Sequence, residues 1–194
     1  MEQSEILIAV LIGVALIAVL AIWIAARRRH TNTLRDKFGD EYDRTLKQHG
    51  RRSAAEAALQ EREERVSKLE IRALEPKERE AAIVEWREVK ALFVDSPVES
   101  VHHADRLLAS IMRARGYPMA DFDRRYEDLT VDHGEVARHY REGHEITERH
   151  RAGQASTEDL RQAMIHFEAL FDDLVNEPRH DDAPRPIRSR ANTH

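Results

Sequence analysis

The sequence predicts an all-α protein: one N-terminal transmembrane helix, a juxtamembrane and stalk region, and a small helical domain. Three observations predict it. Residues 6–26, ILIAVLIGVALIAVLAIWIAA, form one uncharged apolar run. The 194 residues are rich in Ala, Glu, Arg and Leu and hold only 7 Gly and 6 Pro, a helix-favouring composition. Apolar residues elsewhere recur at steps of three and four, and no run of alternating β-branched residues is long enough for a sheet.

At 1.5 Å per residue the apolar run covers about 30 Å, the thickness of a bilayer's hydrocarbon core, and Trp23 near its end suits the interface. A cleaved signal peptide would have a basic leader and a shorter apolar core. Here the leader is the acidic MEQSE and the run ends directly in Arg27, Arg28 and Arg29, so a retained anchor is expected. The positive-inside rule then places residues 1–5 outside the bacterial inner membrane and the C-terminal part in the cytoplasm. The bilayer is an expected partner, and anionic lipid headgroups are a second one at Arg27–Arg29. Small-xxx-small pairs, Ala9/Gly13 and Ala21/Ala25, are a weak signal for helix pairing.

Residues 27–74 form the juxtamembrane and stalk region. Leu34, Phe38, Tyr42 and Leu46 recur every four residues, with Gly39 as a kink. Over residues 52–69, Ala55, Leu59, Arg62, Val66 and Leu69 make a heptad-like seam that Arg62 interrupts. Two heptads are too few for a coiled coil. Residues 70–74 connect to the helical domain, residues 75–176.

Pro76 opens that domain's first helix, which reaches Val94. Ser96, Pro97 and Glu99 supply an N-cap, a first helical residue and a capping box for the next, which stops at Gly116. A short helix is expected over 119–128, then an extended Leu129-Thr130-Val131, then a helix over 133–150. Ser156 and Asp159 cap the last helix, where Leu160, Met164, Phe167, Phe171 and Leu174 step by four and three. Residues 177–194, with three prolines and few apolar residues, are expected to be a disordered tail.

Composition excludes several activities. Without cysteine there is no disulfide framework, thiolate nucleophile or cysteine-based metal site. Acidic residues (36) outnumber basic ones (31) and both are finely mixed, so no nucleic-acid partner is expected. No serine lies in a G-x-S-x-G context, and no glycine-rich phosphate or dinucleotide loop occurs. The sequence therefore predicts no catalytic residue, no cofactor-binding residue and no enzyme.

The stretch HGEVARHYREGHEITERH, residues 133–150, invites a metal reading. Metalloprotease helices place histidines four apart, so that both grip one zinc ion. Here His144-Glu145 is followed by a histidine six residues on. His139 and His150 share a face but lie about 16 Å apart along a regular helix. The weak candidates are His139, His144 and Glu148, with His144/Glu148 and Glu135/His139 each giving two ligands. A metal then needs a histidine from another helix. The plain expectation is no metal and a solvated face laced by Arg138/Glu142, Arg141/Glu145 and Glu145/Arg149. Trp86 and Phe93 are expected in the core. Tyr117, Pro118 and Phe122, at a turn, are candidates for a partner surface.

The segments LRDKFGDEYDRTLKQHG, VEWREVKALFVDSP, ADRLLASIMRARGYP and DLTVDHGEVARHYREGHEI resemble a family of uncharacterised bacterial proteins, single-span or signal-anchored with a helical soluble part. The resemblance covers most of residues 34–175. It implies a bacterial inner-membrane setting and carries no activity, cofactor or site residue. The expected function is a membrane-anchored helical protein-interaction module that binds a protein partner or itself. The alternative is a metal-dependent or pH-sensing enzyme or sensor built on helix 133–150. A third reading places the domain on the far side of the membrane.

Overall fold

The computed structural model describes residues 2–119 and 121–176, with side chains at residue 13 and from residue 16 onward. Among these are eight helices and no strand: α1 Glu2–Phe38, α2 Asp40–His49, α3 Arg52–Val66, α4 Pro76–Asp95, α5 Pro97–Ala114, α6 Phe122–Asp132, α7 Gly134–Arg151 and α8 Thr157–Asn176. The all-α class stands. The expected tail at 177–194 lies outside the described residues.

The transmembrane helix is corrected. Among the described residues, no helix is long and apolar enough to cross a membrane. α1 has 37 residues, but Arg27–Arg29, Arg35 and Lys37 continue it without a break. Its described apolar side chains run from Leu16 to Ala26, about eleven residues or roughly 16 Å, half of a hydrocarbon core. The side chains of residues 6–12, 14 and 15 lie outside the described residues. Single-pass placement in the bacterial inner membrane and the topology derived from it rested on that span, and both are withdrawn with it.

The chain divides into two compact units, Met1–Arg62 and Glu63–His194, the division falling inside α3. In the first, Leu34 and Phe38 of α1, Tyr42 of α2, and Ala55 and Leu59 of α3 are buried. Gly39, at φ 51°, makes the break between α1 and α2, a conformation glycine adopts without a Cβ penalty. Arg62, the interruption in the seam, is itself buried and donates to Glu41 at 2.8 Å. Glu56 accepts from Tyr42 Oη (3.0 Å) and Thr31 Oγ1 (2.7 Å), so polar pairs cross-link all three helices.

In the second unit α8 packs against α5 and α7, α4 packs against α5, and α6 against α7. Leu160, Phe167, Phe171 and Leu174 of α8 are buried, as are Leu107, Leu108 and Ile111 of α5. Trp86 stacks on Phe171 at 4.7 Å, and Phe93 packs against the core. α4 has its cap at Glu75, with Glu78 accepting from the Glu75 N–H at 2.8 Å. Ser156 and Asp159 form the expected capping box of α8. The one expected for α5 does not form, because Glu99 turns to Arg106 at 3.1 Å. Leu129, Thr130 and Val131, expected to be extended, are helical in α6 and buried; tertiary burial outweighs their local β preference.

Arg115, at the end of α5, is 1% exposed. It donates to the carbonyls of Arg72 and Leu174, both at 3.2 Å, and so places a cation on the C-terminal carbonyls of α8 where the helix dipole favours it. Burial lowers its pKa.

Candidate functional site

α7 is not simply a solvated face. Ala137, Tyr140, Gly143, Ile146 and Thr147 are buried on one side of it, most of them small or polar. Of the three expected charge pairs, Arg141/Glu145 forms at 3.5 Å. Glu142 faces elsewhere, toward two histidines.

α7 and α8 are joined by a short connection through Gly153 (φ 72°), which makes them an antiparallel hairpin. Residues equally far from that turn come level. His139 on α7 and His166 on α8 lie about as far before Gly153 as after it, and their Nδ1 atoms are 3.0 Å apart. Glu142, one turn on from His139 and so on its face, brings Oε2 to 3.2 Å from His166 Nδ1 and 3.6 Å from His139 Nδ1. The three side chains are half-buried, and their ligand atoms lie within 4.8 Å of one another. Burial, together with neighbouring His139 and Arg138, lowers the pKa of His166 against the opposite pull of Glu142.

Of the candidate ligands, only His139 joins this cluster. The His144 ring lies flat on Phe122 at 3.5 Å, burial lowers its pKa, and its Nε2 is 3.9 Å from Glu148. Glu148 is paired with Arg151. Among the other histidines, His133 pairs with Asp173 and His103 with Glu85 at 3.1 Å.

The surface candidates separate as well. Tyr117 is 4% exposed, and burial raises the pKa of its hydroxyl. Phe122 is half-buried against Tyr140 and His144. Of the three only Pro118 is exposed, and Met119 beside it is 52% exposed. Arg27, Arg28 and Arg29 are exposed on α1, with the Arg27 guanidinium 5.3 Å from the Trp23 ring centre.

A second feature, missed in the sequence, is the outward face of α4. A groove between α4 and the end of α8 is floored by Leu74, Ile83 and Val175 and bordered by Arg79 and Arg87. Val84, 47% exposed, lines both this groove and a shallower one with Lys77, Glu85 and His103. The outward-facing positions Glu80, Val84 and Glu88 step by four; one exposed valine among charges gives no periodic signal.

Comparison with protein-family models, with curated proteins and with solved structures returns no match.

Proposed function

We propose that the helical unit beginning at Glu63 is a non-catalytic protein-binding module that takes an amphipathic helix of a partner along the outward face of α4. The observation that carries this reading is the apolar floor of Leu74, Ile83, Val84 and Val175 left open between α4 and α8. An apolar stripe laid into such a groove is a recurring mode of helix recognition. Arg87 at the groove's edge favours an acidic residue beside the partner helix's stripe, and Glu80 a basic one, whereas Arg79 is already bonded to the Val175 carbonyl and to Asn176. Four of the described serines hold structural positions, which supports the non-catalytic part of the proposal: Ser67, Ser100 and Ser110 donate to backbone carbonyls, and Ser156 caps α8.

A photoreactive residue placed at Glu80 in living cells tests the reading, with Ile165, exposed on α8, as the control position. A discrete adduct with another protein is expected from position 80. It should disappear when Val84→Glu is added and should be absent from position 165. Identical adducts from both positions, adducts that survive Val84→Glu, or an adduct of twice the chain's own mass would overturn it.

A further inference from the structure

The cluster of His139, Glu142 and His166 has the dimensions of a metal-ion site. Zinc is held by histidine nitrogen and carboxylate oxygen at about 2.0–2.1 Å, so tetrahedral ligand atoms lie roughly 3.3–3.4 Å from one another. The three separations here, 3.0, 3.2 and 3.6 Å, bracket that edge length. Three lone-pair atoms on two helices are thus arranged as one face of a tetrahedron.

Hydrogen bonding alone accounts for the cluster less completely. Two imidazoles meeting through Nδ1 share one proton between them, while Glu142 Oε2 sits near both nitrogens. A divalent ion at the centre satisfies all three at once. The side chains are 31%, 34% and 23% exposed, which leaves the fourth position open to water.

We propose that His139 Nδ1, Glu142 Oε2 and His166 Nδ1 bind one divalent ion of the zinc class at the surface of the α7–α8 hairpin, with water as fourth ligand. Two nitrogens and one carboxylate oxygen suit zinc and its neighbours, whereas magnesium and calcium prefer all-oxygen sites. The ion links residues twenty-seven apart in sequence and so fastens α7 to α8. Arg138, a cation that acts on His166, is exposed, and solvent screens its opposition. The site does not depend on the α4 groove, and either assignment can fail alone.

The test uses the full chain, stripped with chelator and titrated with Co²⁺ and then Zn²⁺. One equivalent of Co²⁺ is expected to bind with the strong visible bands of a four-coordinate ion. One equivalent of Zn²⁺ should bleach them and raise the melting temperature. His139→Asn and His166→Asn should each weaken binding by about tenfold or more, since losing even outer-shell partners of a metal site costs that much. His144→Ala, outside the cluster, should leave affinity within about twofold by the same reasoning. Circular dichroism of each metal-free variant establishes that it is folded. Should a histidine variant unfold, Glu142→Gln, a change at a solvent-accessible carboxylate, carries the same expectation. Absence of saturable one-equivalent binding, weak bands of a six-coordinate ion, or full affinity in a folded His166→Asn variant would overturn the assignment.

Discussion

At Gly143, a Cβ would stand 2.5 Å from Cε1 of Phe167, a ring with no solvent exposure and no room to retreat. Gly143→Ala is therefore predicted to destabilise the second unit by about 1–3 kcal/mol, the usual range for overpacking a filled core, although alanine is the better helix former. Urea denaturation measures it, and Phe167→Leu in the same chain should recover part of the loss. If Gly143→Ala were neutral or stabilising, the close approach would be wrong. This contact also marks where the sequence stops being legible. The α8 stripe is visible because its buried residues are large and apolar. The facing side of α7 is Ala137, Gly143 and Thr147 around Tyr140 and Ile146, and hydrophobic periodicity does not register a face built from absent side chains. His139 and Glu142 were visible on one helix. Their meeting with His166 follows only from the register of the hairpin.

Among the elements, α2 and α3 are joined by Glu41 and Arg62, both buried, with Arg44 also reaching Glu41 at 3.3 Å. Removing one partner of such a pair leaves a charge in a site that cannot hydrate it. Arg62→Met should cost about 3 kcal/mol, near the low end for breaking a buried pair because Arg44 remains. Adding Glu41→Gln should restore most of it, and chemical denaturation of the single and double variants is the measurement. A double variant no more stable than Arg62→Met would sink the argument. Arg62 was legible as an interruption in an otherwise apolar seam. Its partner was not, because Glu41 lies on another helix, beyond the turn at Gly50. Helix starts read well where proline or a side-chain cap sets them, as at Pro76 and Ser156. The α6 boundary read poorly because burial, not local preference, keeps Leu129–Val131 helical.

Across the whole molecule, stability should fall in acid. Glu78 accepts two hydrogen bonds from Arg72 (2.7 and 2.8 Å) as well as the Glu75 N–H, which lowers its pKa from 4.5 to about 2. A carboxylate with a depressed folded-state pKa contributes stability that is present above pH 4.5 and lost as pH falls toward 2. Glu78→Gln should flatten the acid limb of the melting-temperature profile in that window. The difference should be no more than about 1 kcal/mol, because the pair is solvent-exposed and screened. An unchanged acid limb would show that the pair contributes nothing. The fold class was legible from composition and periodicity, whereas the division into two units depends on which faces meet and has no local signature. One packing detail also gives the molecule a built-in optical probe. Of its two tryptophans, Trp23 is 55% exposed and Trp86 is 3% exposed, the latter flat against Phe171 with its indole N–H 3.5 Å from Glu168. With Trp23 replaced by phenylalanine, the remaining emission comes from a single dry indole, and its red shift reports the moment α4 parts from α8.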